Sequence, residues 1–113
     1  MIIYGLKNCD TTRKARRWLK ERDCEHRFVD VRSDGIDYET IRAWVTEIGW
    51  EKLLNRRGTT WRQLSETQRD RLNTDKAVSL IVEYPALIKR PVLQHGRTLL
   101  IGFDSDEYAS LLD

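Results

Sequence analysis

The sequence predicts an α/β protein with a mixed sheet, ordered β-α-β, then a helical insert, then β-β-α. Three observations predict it. A short β-branched run at residues 1–4 leads into an amphipathic helix and a second strand segment at 25–31, the order of a βαβ unit. Two further apolar runs, 91–95 and 98–103, are separated only by Gly96-Arg97, which is hairpin spacing. Between the two pairs the chain reads as helix throughout. At 113 residues it is expected to be one domain, 1–113, with 36–86 as an inserted helical subdomain covering one edge of the sheet.

Each element has a local reason. Met1-Ile2-Ile3-Tyr4 is ended by Gly5, and Asp10, Thr11 and Thr12 suit the first turn or cap of a helix running from about 11 to 22. Ala15, Trp18, Leu19 and Arg22 recur at i, i+3, i+4, i+7, leaving Arg13, Lys14, Arg16, Arg17 and Lys20 on the opposite face. Parallel strands on either side of that helix put the Cys9 loop at their carboxyl edge, where open α/β sheets bind ligands. In the insert, Asp34-Gly35 marks a turn and Asp37 caps a helix containing Tyr38, Ile41, Trp44, Val45 and Ile48. Trp50, Leu53 and Leu54 continue it, and residues 55–60 read as a polar loop. Ser65 and Gln68 form a capping box for a short helix to about Leu72; Thr74 or Asp75 caps the next, with Ala77, Leu80, Ile81 and Tyr84 on its apolar face before Pro85. Asp104 with Glu107 caps a last helix that turns Tyr108, Leu111 and Leu112 to the core.

Composition excludes more than it selects. A net charge of +2 with 34% charged residues argues against a nucleic-acid binder, and the basic face of the first helix is ordinarily just its solvated side. Residues 1–4 lack the basic start of a signal sequence, and no segment approaches the ~18 apolar residues of a membrane span, so a soluble, cytoplasmic protein without a membrane partner is expected. Cys24 follows the first helix, roughly 20 Å from Cys9 at ~1.5 Å per residue. That is far beyond the ~7 Å limit for a bridge, so no internal disulfide is expected and Cys24 reads as a bystander. Neither His26 nor His95 has metal-ligand spacing with the cysteines, so no metal site is expected. The four Trp read as packing residues, and His95, beside the turn, as a surface residue rather than a base for Cys9.

Cys9 carries the chemistry. A free cysteine is most often a small buried hydrophobe. At a helix amino end, however, unpaired N–H groups and the helix dipole favour thiolate over thiol, and Lys7 and Arg13 push the same way. Thr12, three residues on, returns nearly one turn toward the sulfur and can donate to it. Asp10 opposes the second negative charge, so an activated but not extreme cysteine is expected. The loop cations Arg56 and Arg57 are further candidates for holding an anion.

Three stretches then carry a resemblance: 7–15 (KNCDTTRKA), 53–61 (LLNRRGTTW) and 85–92 (PALIKRPV). In order and over essentially the whole chain they resemble the ArsC/Spx family, most closely its YffB branch. The resemblance implies a thioredoxin-like fold with a cis peptide bond before Pro91. The positions matching the family's reactive site are Cys9, Thr12, Arg13 and Arg90. With the residues read above, Cys9, Thr12 and Arg13 are the expected catalytic residues, and Lys7, Asn8, Arg56, Arg57, Arg90 and Pro91 the expected substrate- or anion-binding ones. Asn55 and Gly102 stand where the arsenate reductase branch has arginines, and Thr12 stands where the Spx regulators have the second cysteine of a C-x-x-C switch. The expected activity is a glutathione-dependent thiol–disulfide oxidoreductase working through a mixed disulfide. Arsenate reduction with glutathione or a glutaredoxin-type reductant, and a non-enzymatic Spx-like regulator or binding module, are the alternatives. No bound cofactor is expected; glutathione is the co-substrate, a small molecule or protein disulfide the substrate, and the chain a monomer.

Overall fold

Four strands form one mixed sheet in a computed structural model that describes residues 1–113. β1 (Ile2–Gly5) pairs in parallel with β2 (Arg27–Asp30), and antiparallel with β3 (Val92–His95), which pairs antiparallel with β4 (Thr98–Ile101); the spatial order is β2-β1-β3-β4. α1 (Asp10–Glu21) is the crossover between the parallel strands. The register lines up Phe28, Ile3, Leu93 and Leu100 across the four strands, one residue from each. Ala15 and Leu19 of α1 and Tyr108 of the last helix, α7 (Ser105–Leu112), pack with that row to make the core. Trp18, Phe103 and Tyr108 meet edge-to-face, with centroids 4.9–6.3 Å apart, the arrangement their ring quadrupoles favour. The α/β class and the thioredoxin-like strand order are therefore as the sequence predicts, including the parallel pair and the Gly96-Arg97 hairpin.

By its contacts the chain divides into two units: Met1–Asp34 with Arg90–Asp113, which holds the sheet, and Gly35–Lys89. The second unit is helical. In it α2 (Tyr38–Ile48) packs on α6 (Thr74–Glu83), with the short α3 (Trp50–Leu53), α4 (Thr59–Gln63) and α5 (Glu66–Arg69) between them in sequence and a 3₁₀ turn at Pro85–Leu87 after them. Asp37 caps α2, accepting from Thr40 N at 2.8 Å, and the Ser65–Gln68 capping box is present in both directions.

Several boundaries differ from the sequence reading. α1 starts at Asp10 and not at about residue 11, with Cys9 as its N-cap and Asp10, Thr11 and Thr12 in its first turn, one of the two places the sequence allows them. Residues 59–63, read partly as loop, form a helical turn that begins after Gly58. α5 stops at Arg69 and not near Leu72, because Asp70 is extended and Arg71 takes a positive φ of 50°. Asn73 caps α6 by accepting from Lys76 N, which places Thr74 and Asp75 inside the helix. β4 ends at Ile101 because Gly102 turns the chain with φ 80°. Tyr38 and Leu112, assigned to apolar faces, are exposed; Leu111 and Tyr108 alone of the last-helix residues named above pack inward.

At the end of β2 a carboxylate is buried: Asp30 is only 5% exposed. Burial alone would raise its pKa, but the backbone N–H groups of Ser33, Lys7 and Arg32 bring it down to about 2. Because the folded value lies below the ~3.9 of an unfolded Asp, this stabilisation is complete above about pH 4 and is lost as pH falls toward 2. The urea midpoint of the protein is expected to fall more steeply between pH 5 and pH 2.5 than that of Asp30→Asn; parallel declines would show that Asp30 titrates as it does unfolded.

Candidate functional site

β1 ends in Gly5, the chain turns through Leu6, Lys7 and Asn8, and Cys9 opens α1 from an extended conformation (φ −91°, ψ 120°). Cys9 N donates to Leu6 O at 3.1 Å, closing the turn, and Cys9 O accepts from Arg13 N at 3.0 Å as the first bond of the helix. The sulfur therefore stands at the carboxyl edge of β1 and at the amino end of a helix of 12 residues. The residue is half-buried.

Thr12 is 1% exposed and lies over Gly5. A Cβ added at Gly5 would come within 2.5 Å of Thr12 Oγ1 and 2.6 Å of its Cγ2, so the strand can end here only in a residue with no side chain. Bedding Thr12 on Gly5 keeps its hydroxyl inside the turn, where it lacks a hydrogen-bond partner of ordinary geometry. The Cys9 side chain likewise makes no standard capping bond. The thiol is thus unlocked, while donors for a thiolate stand ready beside it.

Burial pushes the Cys9 thiol up, but the Thr12 hydroxyl, the Thr12 amide and the Arg90 guanidinium together outweigh it, and the thiol titrates below its ordinary value. Arg90 reaches the site from the residue before Pro91; that peptide bond is cis, Pro91 is buried, and Pro91 O accepts from Gly102 N at 2.8 Å. Cys9, Thr12 and Arg90 belong to the sheet unit and form one site there, and Pro91 follows Arg90 in the same unit.

The other candidates are placed differently. Arg13, expected beside the sulfur, is hydrogen-bonded and ion-paired to Asp10 one turn back, and that pairing depresses the Asp10 carboxyl. The pair neutralises its own charges at an exposed position, and the guanidinium that lowers the Cys9 thiol is that of Arg90. Lys7 and Asn8 carry exposed side chains on the turn. Arg56 and Arg57 belong to the helical unit: the Arg56 guanidinium stands 5.8 Å from the centre of the Trp50 ring, and Arg57 helps close a turn, donating its N–H to Asn55 Oδ1 and accepting from Arg62. Cys24 is free and donates weakly to Arg22 O at 3.5 Å. With Arg16, Arg17, Lys20 and Arg27 it lines a cavity of about 990 Å³ whose walls do not include Cys9. Sequence reasoning missed Asp30, whose signal was an acid inside the apolar run 28–31, and it read Gly5 only as a strand terminator.

The positions that depart from the arsenate reductase pattern have structural work of their own. Asn55 accepts from Arg57 N at 3.1 Å, and its amide lies 2.9 Å from where a Gly58 Cβ would be, so it shapes the Asn55–Gly58 turn. Gly102, at φ 80°, occupies backbone that an arginine would adopt only with strain.

Comparison with known proteins gives a consistent result. The ArsC family model matches residues 4–111. A solved structure named YffB protein superposes with a TM-score of 0.96 at 46% identity, over 99% of this chain and 98% of that one. An arsenate reductase (ArsC) related protein from Brucella melitensis gives 0.78 at 40% identity, over 98% and 92%. The global transcriptional regulator Spx of Enterococcus faecalis is 28% identical over 99% of this chain and 86% of its own length.

Removing either donor should raise the Cys9 pKa. Thr12→Val and Arg90→Met are each expected to slow Cys9 alkylation at pH 7 by about three- to tenfold, with far-ultraviolet circular dichroism unchanged. Unaltered alkylation rates would show that these groups do not hold the thiolate. Gly5→Ala, which must displace Thr12, is expected to lower stability by about 1–3 kcal/mol and to slow alkylation as well.

Proposed function

The chain belongs to the ArsC family, close to its YffB branch, and from that premise we propose that it is a glutathione-dependent thiol–disulfide oxidoreductase that works through Cys9. The observation carrying this reading is the convergence of Thr12 and Arg90 on a single sulfur at a helix amino end.

In the first step the Cys9 thiolate attacks the glutathione sulfur of a mixed disulfide. A bond forms between Cys9 and glutathione, the substrate's S–S bond breaks, and the substrate sulfur leaves as a thiolate that takes a proton from water. In the second step the thiolate of a second glutathione attacks the glutathione sulfur held on Cys9, glutathione disulfide leaves, and the Cys9 thiolate is regenerated. Thr12 donates to Cys9 Sγ whenever that atom carries charge, before attack and again as it departs. Arg90 holds the same charge and can pair with a glutathione carboxylate, with the exposed Lys7 on the approach. Cys24, beyond the far end of α1, is not a resolving thiol for Cys9, so the second thiol comes from outside the chain.

The two related activities meet physical obstacles. Arsenate is a small, multiply charged oxyanion that needs several convergent cations, and the backbone at Gly102 disfavours restoring one of them. A C-x-x-C switch of the Spx kind needs a second cysteine where this chain has Thr12.

Incubation with oxidised glutathione is expected to add one glutathione to Cys9, with no adduct at that position in Cys9→Ser, and a glutathionylated peptide should be turned over when glutathione, glutathione reductase and NADPH are supplied. Absence of the Cys9 adduct would overturn the proposal. NADPH consumption that responds to arsenate instead of the glutathionylated peptide would replace it with the arsenate reductase reading.

A further inference from the structure

Asp30 pairs in register with Gly5, so it ends β2 at the sheet edge where the Cys9 turn begins. Its two carboxylate oxygens have separate duties. Oδ1 accepts from Arg32 N and Ser33 N, both at 2.9 Å, a local turn that any Asx residue can make. Oδ2 accepts from Lys7 N at 3.0 Å, a bond spanning 23 residues. Lys7 lies two residues past the end of β1, beyond the sheet's own ladder, and two residues before Cys9. On the other side, Asp30 N donates to Asp34 Oδ2 at 2.9 Å, which holds the Asp30 backbone in turn.

We propose that Asp30 is a positioning residue for Cys9: by accepting the Lys7 N–H, its buried carboxylate anchors the turn from Leu6 to Cys9 and so sets the sulfur against Thr12 and Arg90. The proposal rests on the thiolate reading above. It concerns what keeps the thiolate's donors within reach when the only bond closing the turn on itself is Cys9 N to Leu6 O.

Charge and position predict opposite signs. The charged groups at this edge are the carboxylates of Asp30 and Asp34, the Arg90 guanidinium at the sulfur, and Lys7, whose side chain is exposed on the turn. Acting only as a nearby negative charge, Asp30 would disfavour a second one on sulfur, and neutralising it would make the thiol more acidic. Acting as an anchor, its loss would let the turn drift from Thr12 and Arg90 and make the thiol less acidic.

Asp30→Asn tests this directly. It leaves a carbonyl oxygen for the Arg32 and Ser33 N–H groups but turns an amide N–H toward the Lys7 N–H, severing the bond to the turn. Alkylation of Cys9 is followed against pH by mass spectrometry of its peptide, in the full chain, alongside the unaltered protein. The anchor predicts a profile moved to higher pH and a rate at pH 7 lowered about threefold or more. A profile that is unmoved or moved to lower pH overturns it. An unaltered protein whose Cys9 titrates as an ordinary cysteine would remove the thiolate reading too, whereas a depressed value there with an unmoved variant removes only the role of Asp30. Should the variant not fold, hydrogen exchange in the unaltered protein decides: the Lys7 amide is expected to exchange as slowly as the strand amides, and exchange at open-loop rates contradicts the anchor.

Discussion

The contact on which the site depends is that of the Thr12 side chain with the bare backbone of Gly5. Helix α1 must start close enough to the end of β1 for its first turn to surround the Cys9 sulfur, and a single methyl group at Gly5 would prevent it. With that approach allowed, the geometry of a helix N-terminus does the rest: residue N3 brings both an amide and a hydroxyl toward the capping sulfur, and the free N–H groups of the first turn favour negative charge there. These donors are matched to an anion, and the Thr12 hydroxyl lacks a partner of ordinary geometry beside the neutral thiol, which biases the sulfur toward its reactive form.

Charges close in sequence contribute less than a distant one. Arg13 and Asp10, three residues apart on α1, neutralise each other in solvent. Arg90 follows the helical insert in sequence, just before Pro91 in the sheet unit, and it is the guanidinium that lowers the thiol. The order of the chain therefore matters chemically: the insert separates in sequence two segments that the sheet brings together.

Much of this was legible beforehand because it depends on local pattern. The period-3.6 face of Ala15, Trp18 and Leu19, the Gly96-Arg97 hairpin, the Asp37 and Ser65 caps and the position of Cys9 before a helix are all set by residues within a few places of one another. What failed depended on competition between neighbours or on long-range contact. Arg13 stands three residues from Asp10, and their ion pair is a competition that the charges around Cys9, taken one by one, do not reveal. Asn73 displaced Thr74 as a cap because several capping residues stood in a row. Asp30 was invisible because its partner, Lys7 N, lies 23 residues away, and a buried acid in an apolar strand announces that it has partners without naming them. The role of Gly5 needed the tertiary contact with Thr12, which no periodicity encodes.

The most direct measurement is the ultraviolet absorbance of the thiolate as the protein is titrated, with Cys9→Ser subtracted so that only this sulfur is seen. A Cys9 that ionises below the ordinary cysteine value of ~8.5 is the predicted result. Ionisation at or above that value would mean that burial outweighs Thr12 and Arg90, and Cys9 would then be an ordinary thiol with no catalytic part.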